Sequence, residues 1–240
     1  MTDTEAALLR AIAAHPDEDT PRLVFADYLD ELGGPSRAAR AEFIRLHVRV
    51  SPLPADHPER AAAAPRITRL LCAWEAVWQS EMPPGFRGLC FHRRGLPYRA
   101  TAVASATEDA DDPRLHLLEY LELTPDVPAR RLRAVFRRPL FARLKVLVLR
   151  GDGELGPGGA DALAVGSYPK LERLVLRRQR IGDAGVHTLC ASAAFPRLRR
   201  LDLTANDITD AGRNDLRAGS LDRLEQIDLS ENPLSAESHD

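Results

Sequence analysis

Apolar positions recur in one frame over the C-terminal part of the chain. Leu144, Leu147 and Leu149, then Leu171, Leu174 and Leu176, then Leu198, Leu201 and Leu203, then Leu224, Ile227 and Leu229 share the spacing apolar-x-x-apolar-x-apolar. Successive starts are 27, 27 and 26 residues apart, and the ninth position of each run is polar: Asp152, Gln179, Asn206 and Asn232. Alternation over such a run predicts a short strand with its leucines on one face, and the rest of each period is long enough for a helix. Ile181-Gly-Asp-Ala-Gly and Ile208-Thr-Asp-Ala-Gly put Asp183 and Asp210 where helix N-caps are expected. The ninth-position side chain has a physical task, because buried backbone groups need a partner where the chain turns off a strand. With Asp and Gln in place of Asn at the first two positions, the earlier turns are expected to be less regular. Leu118, Leu121, Leu123 and Asp126 form a degenerate copy that starts 26 residues before Leu144.

The upstream pattern changes to a helical period. Thr2 and Glu5 have capping-box spacing ahead of Leu8, Leu9 and Ile12, and this helix should stop at His15-Pro16. A second helix runs from Thr20-Pro21 to Gly33-Gly34. A third carries Phe43, Leu46, His47 and Val50, and a fourth carries Ile67, Leu70, Leu71, Trp74, Val77 and Trp78 on one face. Residues 1–80 thus read as a helical domain, 81–143 as a connecting and capping region with the degenerate repeat from about 118, and 144–240 as the repeats proper. Within the connection, Phe86 to Leu96 alternates like a strand, and the small, acidic stretch Thr101–Pro113 is expected to be an irregular loop.

The 144–240 units resemble leucine-rich repeats of the ribonuclease-inhibitor-like class. That resemblance implies an α/β solenoid, a short horseshoe with parallel strands on its concave side and helices on its convex side. Asp19 to Gly33, followed by Arg40-Ala-Glu-Phe-Ile-Arg-Leu46, resembles the bacterial repeat-companion domain, a short helical module usually found ahead of repeat arrays. This second resemblance carries no established activity with it.

Composition adds compartment and charge. The formal net charge of −2 is unevenly laid out: −3 over 1–80, +3 over 81–143, +5 over 144–200 and −7 over 201–240. Lys145 and Lys170 are the only lysines, a bias that fits a GC-rich genome better than nucleic-acid binding. Cys72, Cys90 and Cys190 are odd in number and widely spaced, which points to reduced thiols in a cytoplasmic protein and not to a disulfide framework or a zinc site. No stretch has the length and apolarity of a signal peptide or a membrane span.

Catalytic constellations do not emerge. No phosphate-binding glycine loop, nucleophile elbow or paired Cys/His spacing is present, and no cofactor is implied. Gly156-Pro-Gly-Gly159 is read as a turn between strand and helix. Asp27, Asp30 and Glu31 share part of a helix face and are better read as solvated or paired, Asp27 with Arg37 or Arg40. The remaining polar candidates for chemistry are Arg22, Asp27 and Glu42.

What the repeats do offer is a surface. If the leucines point inward, the intervening residues form three columns: Tyr120, Val146, Arg173, Arg200, Gln226; Glu122, Val148, Val175, Asp202, Asp228; and Thr124, Arg150, Arg177, Thr204, Ser230. Arginine beside apolar surface is enriched at protein interfaces. The expected role is therefore a non-enzymatic interaction module that binds a protein or peptide partner through Val146, Val148, Arg150, Arg173, Val175, Arg177, Arg200 and Asp202. Nucleic-acid binding through the basic 130–200 region is an alternative, weakened by an aromatic content of 5%. A non-catalytic subunit of an enzyme or signalling complex is another, and a short array could also dimerise through its capped end.

Overall fold

The period-2 runs become strands that pair in chain order. The computed structural model describes residues 1–90, 94–109, 112–151, 155–219 and 223–235. Within those residues the protein is α/β, with eight α-helices and an open, mostly parallel sheet of seven strands whose order follows the sequence. The chain divides into two compact units, Met1–Ala100 with Asp112–Leu118, and Thr101–Asp111 with Glu119–Asp240. The stretch read as a connection over 81–143 is thus shared between the two.

The first unit contains α1 (Asp3–Ala14), α2 (Thr20–Leu32), α3 (Pro35–Val50), α4 (Pro58–Ser80) and β1 (Phe86–Cys90). Thr2 caps α1 by accepting from the Glu5 N–H at 3.1 Å, and Gly33 and Gly34 leave α2 at φ of +70° and +92°, where a side chain would be strained. Leu9 and Ile12 of α1, Phe25, Ala26 and Leu29 of α2, and Ala41, Ile44 and Val48 of α3 form one core with Leu96. Trp78 of α4 sits on Phe43 at 5.2 Å between ring centroids. The wide apolar face expected on α4 is narrower in fact: Ala63, Leu70 and Trp78 are buried, whereas Val77 is 40% exposed. These three lie seven and eight residues apart, the stripe left when one helix packs along a single seam of its neighbour.

The segment expected to be an irregular loop is ordered for most of its length. It supplies β2 (Arg99–Val103) and 3₁₀ turns at Ala104–Asp109 and Pro113–Leu117, with residues 110 and 111 outside the described set. Ala100, Ala102 and Ala104 are buried in alternation, so a period-2 apolar pattern was present but written in alanines. Asp126 fixes the following turn by accepting from the Ser105 N–H at 2.8 Å and from the Ser105 hydroxyl.

The second unit continues with β3 (Tyr120–Thr124), α5 (Ala129–Val135), β4 (Val146–Leu149), α6 (Gly156–Ala164), β5 (Arg173–Val175), α7 (Gly182–Ala191), β6 (Arg200–Asp202), α8 (Asp210–Ala218) and β7 (Gln226–Asp228). Each strand from β3 to β7 pairs in parallel with the next. The glycine run at 156–159 forms the first turn of α6, and consecutive helices from α5 to α8 pack on one another. The leucines at 121, 123, 144, 147, 149, 171, 174, 176, 198, 201 and 203 are no more than 2% exposed. Each such side chain contributes about 1.5–3 kcal/mol when fully buried, so this face is the main source of the unit's stability. Phe141, Tyr168 and Phe195, also at 27-residue intervals, pack in series, the first pair edge-to-face at 6.3 Å and the second stacked at 5.1 Å.

The turns off β5, β6 and β7 are held by the ninth-position side chains. Asn206 accepts from the Gln179 N–H at 3.0 Å and donates to the Leu176 and Thr204 carbonyls at 2.6 and 3.1 Å. Asn232 accepts from the Asn206 and Ile208 N–H groups at 2.8 and 3.0 Å. Gln179 donates to the Gly151 and Arg177 carbonyls, but its Oε1 meets no donor among the described residues. Asp152, the earliest member of this series, lies outside the described residues. The turns are tight: Arg178, Arg180, Ala205, Asp207 and Glu231 all take positive φ between 51° and 62°. Left-handed backbone costs a non-glycine residue of order 1 kcal/mol, and the amide side chains between these residues supply the compensating bonds.

The capping aspartates are not placed as the motif suggests. α7 starts after Ile181 without a side-chain cap, and Thr209, not Asp210, caps α8. Asp183 instead reaches across to the next helix, accepting from the Thr209 hydroxyl at 2.6 Å and from the Thr209 and Gly212 N–H groups at 2.8 and 3.1 Å. A Cβ on residue 212 would lie 2.4 Å from the Asp183 carboxylate, which explains the glycine there. The Thr209 hydroxyl bond, foremost, and the two amide bonds hold the Asp183 carboxyl below its usual range. Because the folded-state pKa is depressed, the stabilisation is complete above the ordinary value of 3.8 and is lost as pH falls through the lower folded value. Asp183→Ala should therefore cost about 1–2 kcal/mol at pH 7 and less as acid protonates the wild-type carboxyl; guanidinium melts at pH 7 and pH 3 measure both.

Among the described residues no helix is long and apolar enough to cross a membrane. Cys72, Cys90 and Cys190 form no disulfide among the described residues, and burial pushes the Cys190 thiol up to about 11.

Candidate functional site

The polar residues considered for chemistry in the first unit are dispersed and engaged. Arg22 is buried and donates to the Pro16 and Glu18 carbonyls, tying down the chain between α1 and α2. Glu42 takes a two-pronged bond from Arg66 at 2.6 and 2.5 Å, which holds its carboxyl below the usual range. Asp27 pairs with Arg45 at 2.6 Å, not with Arg37 or Arg40, and the same guanidinium reaches Asp30 at 2.6 Å. Arg40 is buried and pairs with Glu81 at 2.6 Å. His47 packs against Phe43 at 4.5 Å in the core. No cluster of His, Cys, Asp and Glu able to hold a metal ion occurs among the described residues.

The exposed face of the second unit is organised differently. Strand pairing sets Tyr120, Val146, Arg173, Arg200 and Gln226 side by side, and Glu122, Val148, Val175, Asp202 and Asp228 in the next row. Alternation puts the leucines of β3 to β6 on the buried face and these residues on the other, whereas in the terminal strand β7 Ile227 is 39% exposed because no further strand or helix covers it among the described residues. All eight predicted site residues fall on this face, yet they are not equivalent. Val146 and Val148 are half-buried, and Val175 is only 7% exposed.

The arginines divide into two kinds. Arg150 is bound to Glu122, a carboxylate 3% exposed that also accepts from the Tyr120 hydroxyl at 3.1 Å. Arg177 is bound to Asp202 at 2.6 Å, and Asp202, 7% exposed, also accepts from the Thr204 hydroxyl at 2.8 Å. These cations neutralise sunken carboxylates: Arg150 and Arg177 remain exposed, but each already holds an internal ion pair, and Asp202 is buried. Asp228 accepts from the Ser230 hydroxyl and N–H at 2.6 and 3.0 Å, bonds which together with the Arg177 charge keep its carboxyl below the usual range. Arg173 and Arg200, in contrast, are exposed and have no ion pair or hydrogen bond from their side chains among the described residues.

These two residues rim a concavity of about 150 Å³ with Arg177, Leu201, Asp202, Gln226 and Asp228. The site therefore combines two unneutralised, in-register guanidiniums, a neighbouring amide, and the half-buried valines of β4. Gln226 and Asp228 were visible in the sequence only as column members. The role of Glu122 is not legible in the sequence, because nothing local ties it to an arginine 28 residues away. Of the other basic residues of 130–200, Arg130, Arg131 and Arg133 belong to α5, on a different element from the strand face. Neither the family models nor the curated proteins contain a match to this chain.

Proposed function

We propose that this chain is a non-enzymatic interaction module, a helical repeat-companion domain followed by a short leucine-rich-repeat horseshoe that binds a protein or peptide partner on its strand face. The repeat reading is supported by the 26- to 27-residue period, the parallel in-register strands and the amide-held turns. The observation that carries the function is the state of the charges on that face. Every other ionised group in its first two rows is bonded within the molecule, and Arg173 and Arg200 alone, among the described residues, project without an internal ion pair, Arg173 next to the half-buried Val146. Guanidinium groups next to an apolar strip are favoured anchors at protein interfaces.

The test compares wild type, Arg173→Glu/Arg200→Glu, and Arg130→Glu/Arg133→Glu on α5 in affinity capture from native-host lysate, followed by titration calorimetry with each purified partner. Charge reversal on the strand face should weaken binding about 30- to 300-fold, corresponding to about 2–3.5 kcal/mol. The α5 variant should bind like wild type. Equal losses in both variants, or none in either, would reject the strand face as the binding site.

A further inference from the structure

Resting on that proposed use of the strand face, we infer that the partner is an extended protein segment carrying one carboxylate two residues away from an aliphatic side chain. Arg173 and Arg200 are direct cross-strand neighbours. Parallel strands lie about 4.8 Å apart, so two like charges face each other across a distance at which they repel. A carboxylate seated between them accepts from both and removes the repulsion, the strong charge-assisted arrangement for a guanidinium.

The surroundings limit that ligand to one negative charge. Asp202 and Asp228 stand in the adjoining row and line the same concavity. Arg177, the third guanidinium of the concavity, is paired with Asp202, so a second anion displaced along the strands would meet the Asp228 carboxylate, which disfavours a polyphosphate backbone. Gln226 beside Arg200 offers a neutral amide and no further cation.

Apolar surface lies on the opposite side of the arginine pair. Val146 is the in-row neighbour of Arg173, and Val148 is the neighbour of Val175. From β4 to the midpoint between β5 and β6 is one and a half strand spacings, about 7 Å. In an extended chain, side chains on the same edge repeat every two residues, about 6.6 Å. A segment crossing the strands can therefore rest an aliphatic residue on Val146 and Val148 and deliver an acidic residue, two positions on, to Arg173 and Arg200.

The probes are acetylated, amidated heptapeptides: Gly-Ser-Leu-Ser-Glu-Ser-Gly, its Glu-to-Gln and Leu-to-Ser versions, and a version with Leu and Glu adjacent. Binding is read from arginine Nε–H signals of the full-length protein by ¹⁵N NMR at constant ionic strength, with Arg173→Gln and Arg200→Gln identifying the signals. The first peptide should shift both signals saturably, the three altered peptides should bind at least 5-fold more weakly, and each Arg variant should lose binding at least 5-fold. Equal binding of the Gln peptide would overturn the acidic partner while leaving a peptide-binding face intact. Equal binding of the adjacent-residue peptide would overturn the spacing. Absence of any shift at 10 mM peptide would overturn the inference; the charge-reversal titrations with captured partners then decide separately whether the face binds protein at all.

Discussion

Asn206→Ala is expected to destabilise the second unit by about 3–5 kcal/mol, the largest effect of any single polar substitution in it. Asn206 is fully buried, and its amide serves three backbone groups at once: the Gln179 N–H, the Leu176 carbonyl and the Thr204 carbonyl. Alanine leaves these without a partner in a site closed to water, and each unsatisfied buried group costs about 1–3 kcal/mol. The bonds also hold a turn whose flanking residues, Ala205 and Asp207, are left-handed at φ of 54° and 59°. Asn206→Asp should fare no better, since it keeps the acceptor for Gln179 but turns a carboxylate oxygen toward two carbonyls. Hydrogen exchange at Leu174 and Leu201 amides reports on this unit directly. Protection within 1 kcal/mol of wild type would show that the turns do not depend on the amide.

Glu81→Ala should cost the first unit about 2–3 kcal/mol, whereas Arg40→Met should cost about 1 kcal/mol or less. The asymmetry follows from burial: Arg40 retains 8% side-chain exposure and Glu81 retains 41%. Desolvation is the main influence on the Arg40 pKa and lowers it, opposed chiefly by the Glu81 charge and then by Glu5. A guanidinium does not lose its proton in response, so removing Glu81 strands a cation in the interior. Breaking a fully buried pair costs about 3–5 kcal/mol, and solvent reaching Glu81 reduces that figure here. Replacing Arg40 with an apolar chain removes the buried charge and leaves Glu81 facing water. Both tryptophans, Trp74 and Trp78, lie on α4, so fluorescence-detected urea unfolding follows this unit. Equal losses in the two variants would refute the asymmetry.

Both effects begin from features of different legibility. The ninth-position amides stand out in the sequence because a strand must end where its backbone loses a partner, and the signal repeats with the period. The Arg40–Glu81 pair does not stand out: the two residues are 41 apart, Arg40 within α3 and Glu81 just after the end of α4. Asp27 was the natural choice on composition, yet packing of α2 on α3 brings Arg45 to it. The aromatic series Phe141, Tyr168 and Phe195 was legible in principle, since it shares the 27-residue spacing, but it sits outside the leucine frame.

By itself, the sequence determined the α/β alternation, the leucine face of β3 to β6, the strand columns and the polar residue at the turns off β5, β6 and β7. These depend on local periodicity and on backbone hydrogen-bonding needs, which every repeat states again. Only the tertiary structure decided which charges on the exposed face are spent internally. Arg150 and Arg177 find carboxylates one strand away, Asp183 serves the neighbouring helix, and Arg173 and Arg200 are left facing each other. The reason is that a side chain's partner is set by which elements stack beside it and how far it can reach, and no single strand or helix carries that information.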